Sequence, residues 1–308
     1  MTNEQLAWPS EQIDLDAATQ WVASATKCEA DAPEILQVKR WGVTARFGGV
    51  VLKASFTPLF PQVTEIHSLL EQIEPEGGPK LLRSERIEGQ LWTLFENLQG
   101  STAEEAGTAE ALVATARELA RVQASITKLD LAGLPRLDVR RVPSILLEDD
   151  LSDQPAEWVQ WLHDAQPSLQ EDADALADIP PSLDHPDMNG GNAIMADDGR
   201  VVLIDWEEAT VGCPLFSLDR LLSDARDLNA VEAVMESYIE AFGEIESEQI
   251  NRAQRLVPLK LAYEFRVYAR ALGFPNPHAR LTTLLLELNK MRLEDAPLNA
   301  WLSDLLES

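Results

Sequence analysis

An Asp-Gly pair at residues 198–199, set between the apolar runs AIMA and VVLI, is a strong signal for a tight β-hairpin. A two-residue loop at this pair would place residue 197 opposite residue 200. The same register carries Asn192 opposite Asp205 at the open end of the hairpin. An amide oxygen and a carboxylate at one place are hard oxygen ligands of the kind that Mg²⁺ takes. The sequence therefore predicts a metal site formed by Asn192 and Asp205.

A loop with little regular structure is expected just before the hairpin. Asp187 lies there between His185-Pro186 and the run Asn189-Gly190-Gly191, and proline and glycine both disfavour helix and strand. Side chains of such loops are free to face a ligand. We therefore predict that Asp187 receives a proton from a substrate. The alternative is a carboxylate that caps neighbouring amides, which is common for Asp beside Gly.

The order of apolar patterns along the chain indicates two parts. Short β-type runs separated by glycines occupy residues 34–55, and a helical stripe and two further strand-like runs follow them. After Gly100 the pattern is mostly helical up to the end of the chain. We therefore expect an α+β fold with an N-terminal β-rich domain over residues 1–97 and a larger, mainly helical domain over residues 98–308.

The charge balance excludes several classes of partner. The 308 residues carry 25 Lys and Arg against 52 Asp and Glu, a formal net charge of −27. Such a chain lacks the basic surface that nucleic acid and anionic lipid require, so we expect no nucleic-acid partner and no membrane partner. No apolar run approaches the roughly 18 residues of a bilayer span, and the first residues lack the segments of a signal peptide. These features predict a cytoplasmic protein.

Several reactive residues lie in no ligand pattern. The two cysteines, Cys28 and Cys213, form no C-x-x-C motif, so we expect both to be buried. Three histidines also receive no function, and we expect them on the surface or on helices: His67, His163 and His278. Two acidic runs, residues 148–150 and 171–174, are expected to be solvated.

The pattern His185-x-Asp187-x4-Asn192, followed after the hairpin by Ile204-Asp205-Trp206, resembles the catalytic loop and metal-binding segment of the aminoglycoside phosphotransferase and choline kinase group. These enzymes are relatives of the protein kinases. The resemblance implies a two-lobed protein kinase-like fold, with a small antiparallel β N-terminal lobe that binds nucleotide and a larger, mainly helical C-terminal lobe. It also implies that Asp187 is the catalytic base and that Asn192 and Asp205 hold Mg²⁺ on the nucleotide phosphates.

The resemblance extends to the N-terminal lobe. Lys53, at the end of the run VVLK, matches the lysine that contacts the α and β phosphates of the nucleotide. Glu65 on the following helix would be its ion-pair partner, with Glu71 as the alternative. Glu96 and Leu98 lie where the connection between the lobes offers backbone hydrogen bonds to adenine.

Two positions depart from the pattern of the group. Pro186 replaces a glycine that the group often carries, although proline also restricts the loop backbone. Ser217 stands where many relatives carry an acidic residue, and the sequence leaves open whether Asp219 takes its role.

The activity implied by the resemblance is ATP- and Mg²⁺-dependent transfer of the γ-phosphoryl group to a hydroxyl of a small molecule. GTP in place of ATP stays open, as do choline, aminoglycosides, sugars, macrolides and amino-acid-derived alcohols as acceptors. Glu207 and Glu208, together with the net charge, favour a cationic acceptor. We expect a monomer or a homodimer. The alternatives are a nucleotide-binding regulatory module of the pseudokinase kind, without turnover, and a helical scaffold with coincidental motifs.

Overall fold

The computed structural model describes residues 13–39, 42–55, 62–271 and 279–294, so His278 lies outside the described residues. The chain forms two compact units. As far as they are described, the N unit comprises Met1–Ser101 and Ile194–Glu208, and the C unit comprises Thr102–Ala193 and Ala209–Ser308. The predicted α+β architecture is confirmed, whereas the domain division at residues 97 and 98 stays a prediction.

The N unit is built on a five-stranded antiparallel sheet. In chain order its first described elements are α1 (Leu15–Thr26), β1 (Glu34–Lys39), β2 (Gly42–Phe47), β3 (Val50–Ser55), α2 (Val63–Leu70), β4 (Leu81–Ile87), β5 (Gln90–Glu96) and β6 (Gly100–Thr102). The strand order in the sheet is β1-β2-β3-β5-β4, and every neighbouring pair is antiparallel.

Alternation of buried and half-buried side chains divides this sheet into two faces. On one face, Leu52 of β3 and Leu94 of β5 belong to the apolar cluster that also includes helix α1. Lys53 therefore lies on the opposite face of β3. There Phe95 of β5 packs in a second apolar cluster with Val63 of α2. The sheet thus presents a lysine beside an apolar surface, on the side that faces away from α1.

The rest of the chain is mainly helical. Its described elements in order are α3 (Ala103–Ala106), α4 (Ala109–Ile126), α5 (Val142–Ile145), α6 (Ala156–Leu176), β7 (Ser182–Asp184), β8 (Ala193–Ala196), β9 (Val201–Leu203), β10 (Thr210–Gly212), α7 (Leu218–Asp227), α8 (Val231–Phe242), α9 (Ser247–Ala271) and α10 (Ala279–Leu293). Strand β9 and all of β8 except Ala193 belong to the N unit. No helix in the described part of the chain is both long and apolar enough to cross a membrane.

Helices of the C unit support one short strand pair. Helix α4 packs against α8, and α9 packs against α6 and α10. Strands β7 and β10 pair antiparallel, with Asp184 opposite Thr210 and Leu183 opposite Val211. Because β7 ends at Asp184, the pair fixes the backbone directly before the loop that carries Asp187.

The hairpin predicted at Asp198-Gly199 is present, but its loop has a different length. Strands β8 and β9 pair in a three-stranded sheet in the order β6-β8-β9. The Ala196 N–H donates to the Arg200 carbonyl at 2.9 Å, and Gly199 has a φ of 88°. Glycine adopts this left-handed conformation without strain, so the loop takes in one more residue than the predicted two. The register is therefore shifted by one from the prediction.

Two expectations about exposure are wrong in part. Cys213 is buried, and burial raises its pKa to about 12, but Cys28 is exposed because α1 ends at Thr26 before it. Each acidic run expected to be solvated contains one largely buried carboxylate. Asp149 lies 2.8 Å from Arg266, and Asp172 lies 2.7 Å from Arg255. Both arginines belong to α9, so a distant helix supplies the counter-charges that permit this burial.

Candidate active site

Lys53 forms ion pairs with two acidic residues that lie far from it in the sequence but in the same N unit. Its Nζ atom lies 2.5 Å from Asp205 Oδ1, 2.7 Å from Glu207 Oε1 and 5.9 Å from the ring centroid of Phe95. Burial by itself lowers the pKa of Lys53, but the charges of Glu207 and Asp205 outweigh it and raise the pKa above its ordinary value. Lys53 therefore remains a fixed positive charge.

A buried tryptophan holds Asp205 and Glu207 in place. After β9 the chain forms a 3₁₀ turn over Trp206–Glu208. Trp206 is fully buried, and its indole N–H donates to the Leu203 carbonyl at 3.0 Å. Asp205 has a φ of 64°, a left-handed conformation that few residues other than glycine adopt, although Asp tolerates it better than most. Strained backbone of this kind concentrates at functional sites.

The predicted ion pair between Lys53 and Glu65 is not formed in the structure. Helix α2 turns its apolar face, with Val63 and Ile66, into the N unit, so Glu65 is exposed on the other side. Glu71 is also exposed at the C-cap of the same helix. Asp205 and Glu207 pair with the lysine instead. The role of Glu65 in nucleotide binding stays a prediction.

The sequence predicts His67 on the surface or on a helix. It lies on helix α2, but it is only 1% exposed. Its ring lies against Phe95 with centroids 4.7 Å apart, and it hydrogen-bonds to the backbone of Pro79. Its Nδ1 has no hydrogen-bond partner among the described residues. Burial lowers the pKa of His67 from 6.5 to about 4, although the charge of Glu207 opposes the shift. His67 is therefore neutral at pH 7 and shares Phe95 with Lys53.

Glu96 and Leu98, predicted to meet adenine, lie at the end of β5 and just after it. The Glu96 N–H donates to the Lys80 carbonyl at 3.1 Å, and the Glu96 carboxylate accepts from the Lys80 N–H at 3.0 Å. These bonds fix the end of the strand. Leu98 is half-buried, and within the described part of the chain its N–H has no hydrogen-bond partner. An unpaired backbone N–H is able to donate to a purine nitrogen.

Asp187 in the C unit is surrounded by polar side chains. Its carboxylate accepts hydrogen bonds from Arg220 of α7 and, at 3.2 Å, from Asn189 Nδ2. Its backbone carbonyl accepts from Asn192 Nδ2 at 2.7 Å. The Asp187 side chain remains 37% exposed. The carboxylate is therefore oriented by its neighbours and still accessible to a ligand.

Position 190, at the far end of this loop, leaves little room for a side chain. The Gly190 N–H donates to Asp224 Oδ2 of α7 at 2.8 Å. A Cβ atom at Gly190 would lie 3.0 Å from the backbone nitrogen of Glu104, which is closer than side chains normally approach. Helix α3 thus approaches the loop so closely that a larger residue would displace it.

A family model described as the phosphotransferase enzyme family matches residues 37–254, which is more than half of the chain. The chain belongs to the phosphotransferase enzyme family. The resemblance to aminoglycoside phosphotransferases and choline kinases that the motifs indicated is thereby confirmed. No curated protein sequence matches the chain closely enough to count as a relative.

Solved structures of phosphotransferases and kinases share the fold of this family member. Choline kinase LicA from Streptococcus pneumoniae is 16% identical, with a TM-score of 0.66 over 91% of this chain and 98% of that chain. Macrolide 2′-phosphotransferase MphH from Brachybacterium faecium is 18% identical, with a TM-score of 0.58 over 88% and 98%. Spectinomycin phosphotransferase APH(9)-Ia, in complex with ADP and spectinomycin, is 10% identical, with a TM-score of 0.59 over 91% and 98%. At these identities the matches show the fold, so the predicted kinase-like architecture is confirmed.

Each of the two residues assigned to the metal carries a side-chain oxygen of the kind that Mg²⁺ binds. Among the described residues, no group of three or more His, Cys, Asp or Glu side chains could hold a metal ion. Mg²⁺ does not require one, because it takes one or two carboxylates with phosphate oxygens and water. The Asp205 side chain is 34% exposed, and Asn192 turns its Nδ2 to the Asp187 carbonyl, which leaves its amide oxygen for a ligand. That Asn192 and Asp205 share one metal ion stays a prediction.

Ser217, where the resemblance predicts an acidic residue, contacts the loop of Asp187 directly. Its Oγ accepts a hydrogen bond from the His185 N–H at 2.7 Å. Asp219 is paired elsewhere, because Arg292 lies 2.7 Å from its carboxylate. Ser217 is thus the residue that hydrogen-bonds to the start of the loop, and a role for Asp219 in the site stays a prediction.

Three of the residues described above carried no sequence signal for the contacts that they make: Glu207 and His67 in the N unit and Arg220 in the C unit. The sequence suggests Glu207 as a charge toward the acceptor, but in the structure Glu207 pairs with a lysine 154 positions away. Arg220 contacts a residue 33 positions away. Spacing along the chain indicates partners within one turn or across one hairpin, and these contacts arise only when separate elements pack.

Proposed function

We propose that this member of the phosphotransferase enzyme family transfers the γ-phosphoryl group of ATP to a hydroxyl of a small molecule, with Mg²⁺ on the nucleotide. The observation that carries the proposal is the ion pair between Lys53 and Asp205, two residues 152 positions apart in the sequence. It places a fixed cation at the carboxylate assigned to the metal, and phosphoryl transfer depends on such charge neutralisation. Residues 1–97 would form the nucleotide-binding lobe and residues 98–308 the catalytic and acceptor-binding lobe.

The nucleotide would bind through backbone groups and charge. The unpaired N–H of Leu98, together with the Glu96 carbonyl, would hydrogen-bond to adenine, and Lys53 would contact the α and β phosphates. Phosphate oxygens would then replace Asp205 as a partner of the lysine and free that carboxylate for the metal, while Glu207 keeps its contact. Glu65, exposed on α2, is retained as a second proposed residue of the nucleotide site. The ADP bound to the related spectinomycin phosphotransferase supports an adenine nucleotide.

Asp187 would act as the base. The acceptor oxygen would attack the γ phosphorus of ATP. The bond between that phosphorus and the bridging oxygen would break, so that ADP leaves, and the hydroxyl proton would pass to the Asp187 carboxylate. Mg²⁺ held by Asn192 and Asp205 would neutralise phosphate charge. Hydrogen bonds from Asn189 to the carboxylate and from Asn192 to the backbone keep Asp187 oriented before the acceptor arrives.

The charges beside Asp187 indicate the kind of acceptor. Glu207, one of the two glutamates that with the net charge favour a cationic acceptor, is paired with Lys53. Arg220 instead brings a positive charge to Asp187, and its side chain is 56% exposed. A guanidinium has five N–H donors, and its bond to Asp187 is the only one it makes within the described residues. We therefore propose an acceptor with a carboxylate or phosphate group close to its reacting hydroxyl.

The remaining expectations about context are also proposals. We propose a cytoplasmic protein that is monomeric or homodimeric. The net charge of −27 supports the absence of nucleic-acid and membrane partners.

Two substitutions test the proposed function, because loss of the metal ligand and loss of the base should affect nucleotide affinity differently. Asp205→Ala should weaken binding of magnesium nucleotide and abolish transfer together. Asp187→Asn keeps the shape but cannot accept the proton, so nucleotide affinity should stay near the parent value while turnover falls by roughly a hundredfold or more. Calorimetry with Mg²⁺ and a non-hydrolysable ATP analogue measures the affinity. A nucleotide-consumption screen over small hydroxyl compounds, with and without Mg²⁺, measures turnover.

Asp197→Asn is the matched control, because Asp197 is exposed in the hairpin loop. It should change neither measurement. Full turnover by Asp187→Asn would contradict the assignment of the base. Nucleotide binding without turnover on any acceptor would favour the regulatory module.

A further inference from the structure

We propose that Ser217 and Asp184 together position the loop that carries Asp187, from inside the C unit. Both residues are 1% exposed, so neither contacts an acceptor or a nucleotide, and both act through the backbone of His185. Their effect on turnover follows only if the proposed function holds, whereas their effect on the loop does not depend on it. They are positioning residues.

The hydroxyl of Ser217 has every hydrogen-bonding position filled. Its Oγ accepts from the His185 N–H at 2.7 Å and from Gln123 Nε2 at 2.9 Å, and it donates to Asp184 Oδ1 at 3.0 Å. A hydroxyl offers one donor and two acceptor lone pairs, so no capacity remains. A carboxylate in place of this hydroxyl could not donate to Asp184 and would set two negative charges side by side. The residue types at 184 and 217 therefore depend on each other.

Asp184 is a buried charge that Lys260 of α9 neutralises. The Lys260 Nζ atom lies 2.9 Å from Asp184 Oδ2 and 2.9 Å from Glu264 Oε2, and Lys260 is itself 1% exposed. A buried ion pair adds little stability compared with apolar side chains of the same volume. Stability alone therefore does not explain why Asp184 and Lys260 are buried together. We attribute the pair to the contact of Asp184 with the Ser217 hydroxyl, which holds the loop.

A second buried residue aims Gln123 at Ser217. The Tyr238 hydroxyl donates to Gln123 Oε1 at 2.5 Å, so the amide must turn its Nε2 toward Ser217 and the Leu183 carbonyl. Gln123 and Tyr238 are fully buried. Side chains from α4, α8 and α9 thus fix one hydroxyl.

The hydroxyl acts at the start of the loop. His185 follows directly on β7 and stands two residues before Asp187, and at the other end the Gly190 N–H is held by Asp224 at 2.8 Å. Asp187 lies between these two anchors. Loss of the Ser217 contact would release one anchor, and a displacement of about 1 Å at a reacting group costs on the order of a hundredfold in rate.

The test compares Ser217→Ala with Ser237→Ala. Ser237 is a buried serine of the same C unit, and its hydroxyl donates to the Val113 carbonyl at 3.2 Å on α4. Hydrogen–deuterium exchange of the His185 amide should speed up at least about tenfold in Ser217→Ala and not in Ser237→Ala, since one lost hydrogen bond corresponds to about that factor. In Ser217→Ala, kcat should fall about tenfold or more, while the KM for nucleotide stays within about twofold.

Asp184→Asn completes a double-mutant cycle and keeps the volume of the side chain. If both residues act through His185, the double variant loses no more kcat than Ser217→Ala alone. If Ser217→Ala does not fold, hydrogen–deuterium exchange of the His185 amide is measured in Asp184→Asn instead. Additive losses of kcat, or parental exchange at His185 in these variants, would overturn the proposal. Fast exchange in Ser217→Ala beside full turnover in Asp187→Asn would support the positioning contact and overturn only the proposed function.

Discussion

Arg220 touches the carboxylate that we propose as the base, so its charge acts on any acceptor that approaches Asp187. Arg220→Ala should raise the KM for an anionic acceptor by about 10- to 100-fold, because a hydrogen bond to a charged group contributes about 1.5–3 kcal/mol. Steady-state kinetics on two acceptors that differ only by a carboxylate check this. Arg200→Ala is the control, since Arg200 also pairs with an exposed carboxylate, that of Asp198, at 2.8 Å. An unchanged KM for the anionic acceptor would contradict the acceptor class.

His67 should make the stability of the protein depend on pH. Its pKa is lowered from 6.5 to about 4 in the folded state, so the unfolded chain takes up the proton first as the pH falls. The stabilisation is complete above pH 6.5 and is lost as the pH falls toward 4. Relative to His67→Gln, the parent should lose about 2 kcal/mol of unfolding free energy between about pH 7 and pH 5.

Urea unfolding at the two pH values measures this difference, and pH 5 stays above the sequence pI of 4.4. His163→Gln is the control, because His163 is exposed on α6. Equal pH dependence in the parent and in His67→Gln would show that His67 is not held neutral.

Single residues differ in how well the sequence indicates them. Asp187, Asn192 and Asp205 belong to one short segment, where spacing and glycines limit the backbone enough to single these residues out, and their roles stay predictions. Glu207 and Arg220 have partners that only tertiary packing supplies, and no local pattern distinguishes them from other charged residues. The choice of Glu65 as the partner of Lys53 fails for the same reason.

Helix α9 contacts the rest of the C unit through ion pairs as well as through apolar side chains. Arg255 and Arg266 each bind a carboxylate of an acidic run, and Lys260 between them binds Asp184. Acidic runs look like solvated surface in a sequence, because the basic residues that cover them are 83 and 117 positions away.

Arg266→Ala should destabilise the protein by about 3 kcal/mol, because it leaves buried carboxylates without this partner. Arg266 is 2.8 Å from Asp149 and 2.9 Å from Asp153, and its side chain is 10% exposed. Arg140→Ala is the matched control: its pair with Asp174 is 3.8 Å apart and more than half exposed, so the loss should stay below about 1 kcal/mol. Chemical unfolding of both variants checks the contrast, and equal losses would contradict it.

The β8–β9 hairpin shows which part of an element the sequence predicts. The Asp198-Gly199 pair between the apolar runs AIMA and VVLI correctly predicts that a hairpin forms. Its loop length depends on the left-handed conformation of Gly199, which turns of two and of three residues both accommodate. The predicted register is therefore wrong by one residue.

The whole molecule carries a net charge of −27, and its like charges repel in the compact state. Raising NaCl from about 20 mM to about 300 mM shortens the range of this repulsion to less than about 10 Å. We expect the unfolding temperature to rise by about 2–4 °C, which corresponds to about 1 kcal/mol for a chain of this size. Thermal unfolding followed by circular dichroism at several salt concentrations measures it. A fall in unfolding temperature would mean that attractive ion pairs dominate.

The N unit is made from two stretches of chain, Met1–Ser101 and Ile194–Glu208. A ribosome therefore releases the sheet that bears Lys53 well before it releases Asp205, Glu207 and the buried Trp206. During that interval the nascent sheet has a lysine without its two counter-ions and an apolar gap beside Gly78, where the Trp206 ring will pack. The helices up to α6 are synthesised in the meantime. The N unit is thus the first to begin folding during synthesis, but it cannot finish until Glu208 has been released.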